Sequence, residues 1–262
     1  VSSSNGSDSH RGDDIEEPVR TLERAIQQVR SGTGDWLLLR AGDVWEESFD
    51  VWEKSGASAL YPFVIGAYGD GPRPIIRPGD KAAFRILNTS VQHVAMGGLR
   101  VEAPADPMAK RASGRSLLGP LNDFLIEDCV FQGFAMNLNF NAYAGPVRNI
   151  RLRRSFILDS INLGEQDYEI KSGHSSGLFA NKIEGLTIEE CVFDRNGWRD
   201  DVKGAERSKF NHNVYIQFNC SDVVFRKTIS ARASNSAIMV RCGGIIEDNL
   251  VLSSPSAIAL GS

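Results

Sequence analysis

A short unit recurs along this chain, and its recurrence limits the possible folds more than any single motif does. The copies are "QHVAMGGLRV" (92–101), "NDFLIEDCVF" (122–131), "RNIRLRRSFI" (148–157), "EGLTIEECVF" (184–193), "SDVVFRKTIS" (221–230) and "GGIIEDNLVL" (243–252). Each places a polar or glycine corner before a few alternating apolar residues, then a polar pair, then a second apolar strand. A different strand precedes several copies: "MNLNFN" (136–141), "SGLFAN" (176–181), "NVYIQF" (213–218), "SAIMVR" (236–241) and, at the end, "SAIALG" (256–261). Copies start at 92, 122, 148, 184, 221 and 243, so the interval runs from 22 to 37 residues. A variable-length repeat of short strands is the mark of a solenoid, in which no coil can bury its apolar side alone. Six or seven coils stacked about 4.8 Å apart make a rod of roughly 30 Å.

The rest of the chain agrees with an all-β body closed by one helix. "TLERAIQQVRS" (21–31) sets Leu22, Ala25, Ile26 and Val29 on one helical face, with Thr21 as N-cap and Glu23 in the first turn. After residue 36 helical periodicity gives way to short β-rich runs broken by Gly, Asn, Asp and Pro. The 262 residues are 42% hydrophobic, enough for a sizeable core. A net charge of −4 favours neither nucleic acid nor an anionic membrane as partner, and the longest apolar runs are far too short to span a bilayer. No signal peptide is visible in the polar opening, and the abrupt end after "SAIALGS" suggests a truncated C-terminus.

The cysteines report on the interior. Cys129 and Cys191 fall where other copies carry Ser155 and Thr228. Cys220 and Cys242 share a column with Val91, Leu121, Val147 and Ile183. Cysteine alternating with Val, Leu and Ile reads as a small apolar residue in an inner ladder. Cys220 and Cys242 fall on adjacent coils, so a disulfide between them stays open. No Cys-x-x-Cys spacing points to zinc.

Three stretches carry a resemblance. The opening "EEPVRTLERAIQQVRSGTGDWLLLRAGDVWEESF", the segment "SGASALYPFVIGAYGDGPRPII" (55–76) and the repeats above resemble the right-handed parallel β-helix proteins of the pectin-lyase-like superfamily. The resemblance implies one parallel β-helix domain over 1–262, with a capping segment at about 15–35 and coils from about 36 onward. It implies a secreted or cell-surface location and a polysaccharide as partner. The fold hosts lyases, hydrolases, epimerases and non-catalytic adhesion or tail proteins, so it does not choose among them. The aspartate clusters of calcium-dependent pectate lyases and the paired aspartates of polygalacturonases are not found here.

Strand alternation then places side chains. Leu138, Phe140, Leu178, Ala180, Val214, Ile216, Phe218, Ile238 and Val240 point inward. Asn137, Asn139, Asn141, Phe179, Asn181, Tyr215, Gln217, Asn219, Met239 and Arg241 point outward. Stacked, the outward set gives a stripe of amides, a phenol and a guanidinium suited to sugar hydroxyls and carboxylates. The long loops 159–175 and 194–212 lead into this stripe and bring His174, Trp198 and His212. The insert 103–116 adds basic residues at a further edge.

Three groups are needed for β-elimination from a uronic-acid polymer: one to neutralise the carboxylate, a base for the C5 proton and an acid for the leaving oxygen. Arg241 with Asn181 or Gln217 suits the first role. His212 or Tyr215 suits the base and Tyr215 the acid. The expected catalytic set is His212, Tyr215 and Arg241, with Asn139, Asn181, Gln217, His174 and Trp198 binding substrate. Hydrolysis would use two carboxyls from Asp167, Glu169, Asp194, Asp200 and Asp201. A non-catalytic adhesin or tail-fibre segment is the other alternative. No cofactor is expected, although "GEQDYE" (164–169) clusters oxygen ligands of the kind calcium takes. "NTS" (88–90) matches a glycosylation acceptor.

Overall fold

The computed structural model describes residues 1–106, 113–161 and 174–261. Within them the chain winds into a parallel β-helix whose strands stack on three faces. The first face runs through Trp36–Arg40, Phe63–Tyr68, the later part of Phe84–Gly97, the later part of Ser113–Glu127, Val147–Arg153, Ile183–Glu189, Ser221–Arg226 and Ile245–Glu247. The second is an eight-stranded parallel sheet from Val44–Trp45 to Leu250–Leu252. The third stacks Met136–Asn141, Ser176–Asn181, His212–Ile216, Ser236–Val240 and Ser256–Leu260. Eight strands on the second face exceed the six or seven coils expected. The two earliest coils, at 36–45 and 63–76, carry Trp and Gly where later copies carry the recurrent pattern, so the repeat does not reveal them.

One continuous cluster fills the interior from Val19 to Val240. Leu138, Phe140, Leu178, Ala180, Val214, Ile216, Ile238 and Val240 all lie inside it, as alternation requires. At its start sits the helix Leu22–Gln28, which buries Leu22 and Ala25 on the first coil. Thr21 caps it by accepting the Arg24 N–H at 3.1 Å, and Glu47 accepts the Leu22 N–H at 2.9 Å. The helix stops earlier than the periodicity suggests. Val29 is already extended, and the next residue is held by Asp35, which takes the Arg30 backbone N–H at 2.9 Å.

The corners explain how irregular sequence fits a regular stack. Asp128, Arg154, Glu190, Lys227 and Asp248 each follow a first-face strand, with φ of 51, 44, 55, 51 and 55°. These left-handed conformations cost energy in non-glycine residues. The first four are offset by a bond to the next coil: the Asp128 N–H donates to the Arg153 carbonyl, Arg154 to Glu189, Glu190 to Arg226 and Lys227 to Glu247. Immediately after lies the column of Cys129, Ser155, Cys191 and Thr228. The Cys129 N–H donates to Ser155 Oγ at 3.1 Å, and the Cys191 N–H to Thr228 Oγ1 at 3.3 Å. Each side chain in this column donates to the carbonyl two residues back. All four cysteines are free thiols, Cys220 and Cys242 included.

Two side chains depart from simple alternation. Asn137, expected to face outward, is fully buried and begins an asparagine ladder. Its Nδ2 donates to Asn196 Oδ1 at 3.0 Å, Asn196 Nδ2 donates to Asn213 Oδ1 at 3.1 Å, and Asn213 Nδ2 donates to Ser230 Oγ at 3.0 Å. The bend before each third-face strand leaves backbone groups unpaired, and these amides satisfy them: Asn137 takes the Phe134 N–H and gives to the Leu158 carbonyl. Gly177 holds the ladder's register in the coil between. A Cβ there would stand 2.8 Å from Asn196 Nδ2 and 2.6 Å from the Asn213 carbonyl. Phe218, expected inward, is 61% exposed. The strand ends at Ile216, and a turn closed by the Cys220 N–H to Gln217 O bond interrupts the alternation, swinging Phe218 out before Cys220 re-enters the core.

Candidate functional site

The third face positions the candidate groups by register. Asn139, Phe179, Tyr215 and Met239 stand in line across four coils, with Asn141 and Asn181 in the next outward line. The Gln217 N–H donates to the Ala180 carbonyl and the Arg241 N–H to the Ile216 carbonyl, which extends that second line through Gln217 and Arg241.

Arg241, Tyr215 and Gln217 meet directly. Arg241 Nη1 donates to Tyr215 Oη at 3.1 Å and to Gln217 Oε1 at 3.4 Å, and its Nε points to the Gly261 carbonyl at 3.4 Å. The guanidinium carbon lies 5.7 Å from the Phe218 ring centre, a use for the aromatic that the turn exposes. Nη2 has no partner among the described residues. Because Arg241 donates to the phenolic oxygen, the Tyr215 hydroxyl proton is left to point elsewhere.

His212 joins the cluster from the other end of its strand. Its ring centre is 5.1 Å from that of Tyr215, edge to face, and Phe179 packs on Tyr215 from the preceding coil at 5.7 Å. His212 is buried. Its Nδ1 accepts the Ser236 backbone N–H at 3.3 Å, which fixes the neutral ring with its proton on Nε2. Burial, followed by the nearby His174, pushes its pKa down to about 4. His174 itself is exposed and lies 5.8 Å from the Phe210 ring.

The remaining residues are less closely joined. Asn181 Nδ2 donates to Asn141 Oδ1 at 2.9 Å, so part of its capacity serves the amide pair. Asn139 Oδ1 is buried and unpartnered. Trp198 is turned to another corner, where its indole N–H donates to the Arg232 carbonyl at 2.7 Å and the Arg207 guanidinium covers its ring at 3.7 Å. Among the carboxylates, Asp194 is held by Arg232 at 2.8 Å, and Arg199 holds Asp201 down at about 2. Asp167, Glu169 and the whole "GEQDYE" run lie outside the described residues. No group of three or more His, Cys, Asp or Glu side chains placed to hold a metal occurs among the described residues. Sequence reasoning missed Phe179, Phe218 and Ser236, because their roles depend on the turn phase and on stacking between coils.

Similarity to solved structures follows this architecture. The fold matches pectate lyase Pel9A with a TM-score of 0.63 at 14% identity, over 94% of this chain and 60% of that one. It matches a GH136 lacto-N-biosidase from Eubacterium ramulus with a TM-score of 0.60 at 15% identity, over 96% and 55%. It matches a rhamnogalacturonan lyase with a TM-score of 0.50 at 14% identity, over 92% and 71%. The chain is thus a parallel β-helix protein, and it spans little more than half the length of the first two structures. No protein-family model matches the chain, and no curated protein sequence does.

Proposed function

We propose that this protein acts on a polysaccharide along its third face, by β-elimination from a uronic-acid unit. The observation that carries the reading is the convergence of Arg241, Tyr215 and Gln217, with His212 against the phenol. The free Nη2 of Arg241 suits a carboxylate, and neutralising that carboxylate acidifies the C5 proton beside it. The Tyr215 hydroxyl proton is not taken up by Arg241, which donates to the phenolic oxygen. That hydroxyl proton passes to the leaving oxygen as the phenolic oxygen takes up the C5 proton, so the hydroxyl is restored when the bond has broken. His212 presents Nε2–H, a donor rather than a base in the neutral ring, and so orients a substrate oxygen. Phe179 offers an apolar ring for the sugar in the coil before.

Hydrolysis is the weaker reading, because Asp194 and Asp201 are engaged by arginines. The structural relatives named as lyases support a carbohydrate polymer as substrate. The same reading places the protein outside the cell, where such polymers occur. No helix among the described residues is long and apolar enough to cross a membrane.

A panel of acidic and neutral polysaccharides tests the proposal. Chain shortening with unsaturated ends on a uronate polymer supports it. Chain shortening with saturated ends selects hydrolysis, and binding without shortening selects an adhesive role.

A further inference from the structure

A second cleft lies far from the third-face cluster, against the outside of the first two coils. The bends at 11–18 pass over the outer side of Trp36–Arg40 and Phe63–Tyr68. Between them is a cavity of about 520 Å³, adjoining one of about 370 Å³, and the two share Ile15, Pro18 and Tyr68. A space of this size accommodates a small-molecule ligand.

Its floor is aromatic where a solvent-facing strand would ordinarily be polar. Trp36 is 66% exposed, whereas Trp45 and Trp52 are buried and Trp198 is covered by Arg207. The Trp36 indole N–H and the Tyr68 hydroxyl have no partner among the described residues, although a half-buried phenol ordinarily finds one. Burial pushes the Tyr68 phenol above its ordinary value, so it stands there as a neutral hydroxyl. Asp14 uses Oδ1 for the Glu16 N–H at 3.0 Å and leaves Oδ2 as an acceptor.

The charge of the lining decides what fits. Arg11 pairs with Asp13 and Arg30 with Asp35, which leaves Asp14, Glu16 and Asp70 in the lining against Arg40. An acidic sugar is repelled. An aromatic floor with unpartnered hydroxyl, indole and carboxylate groups fits the opposite ligand, with an apolar ring face and several hydroxyls.

We infer that this cleft is a binding site for a neutral oligosaccharide, stacked on Trp36 and hydrogen-bonded to Tyr68 and Asp14. It is separate from the third-face cluster and does not depend on the reading given there. It would hold a neutral glycan while the Arg241 cluster engages an acidic one.

Titration of the full chain with cellotetraose, mannotetraose, xylotetraose and trigalacturonate, followed by isothermal titration calorimetry, tests the inference. Expected is a saturable change with at least one neutral tetrasaccharide, lost in Trp36→Ala and weakened about threefold to tenfold in Tyr68→Phe. Trigalacturonate should compete for the site at least tenfold more weakly than the neutral sugar binds it, and Tyr215→Phe should leave the neutral-sugar titration unchanged. Circular dichroism checks that Trp36→Ala is folded, and Tyr68→Phe removes only an oxygen. No saturable change with any neutral sugar, a change that survives Trp36→Ala, or displacement of the bound neutral sugar by an equal concentration of trigalacturonate overturns the inference.

Discussion

Arg241 and Tyr215 sit on adjacent coils of one sheet face, with Nη1 3.1 Å from the phenolic oxygen. The stack creates this contact. Neither residue is near the other in sequence, and the strands that carry them are held in register by the backbone pairing of Val214 with Ile238 and Ile216 with Val240.

Arg241→Lys is therefore not a conservative change. A lysine keeps the charge but cannot bridge Tyr215, Gln217 and a carboxylate at once. Turnover on a uronate polymer should fall about a hundredfold or more, in the range for losing an oxyanion donor. Steady-state kinetics check this. Activity within threefold of wild type would remove Arg241 from the site.

His212 gives the fold a pH dependence of known sign. Its folded pKa, about 4, lies below the unfolded value of about 6.5. Between these values the unfolded chain takes up a proton that the folded one refuses. Stability is thus unaffected above pH 6.5 and declines as pH falls toward 4, by at most on the order of 3 kcal/mol. Thermal melts from pH 7 to 4 should show this slope, and His212→Asn should flatten it.

The asparagine ladder predicts a large loss from a small change. Asn196 accepts from Asn137 and the Ser160 N–H and donates to Asn213 and the Ile157 carbonyl, all in the interior. Asn196→Ala orphans several of these groups, at about 1–3 kcal/mol for each. A fall in melting temperature of about 5 °C or more is expected, since each kcal/mol shifts a protein of this size by about 2–4 °C.

The thiols should differ in reactivity. Burial pushes Cys191 up to about 12 and Cys220 up to about 11. Cys242 is raised less strongly and is partly exposed. Alkylation of the native protein at pH 8, followed by mass spectrometry, should label Cys242 first and leave Cys191 untouched. Cys191→Ser should be tolerated, because Ser155 already makes the same bond one coil away.

The stacking was legible because it repeats. Cys129, Ser155, Cys191 and Thr228 align in the sequence as they do in space, and alternation placed Leu178, Val214 and Ile238 inside correctly. Asn137 and Phe218 escaped because each sits where a strand gives way to a turn, and a turn changes the phase on which alternation depends. The outward line from Asn181 to Arg241 could be read from strand phase alone. That Arg207 covers Trp198, or that Ser236 fixes the tautomer of His212, depends on contacts between residues 9 and 24 positions apart.

The most direct test follows the ultraviolet absorbance of unsaturated uronide ends released from a uronic-acid polymer, by the wild type and by Tyr215→Phe. The account predicts a steady rise with the wild type and a rate about a hundredfold or more lower with the variant, the loss expected on removing a general acid–base group. An equal rise with Tyr215→Phe would contradict it.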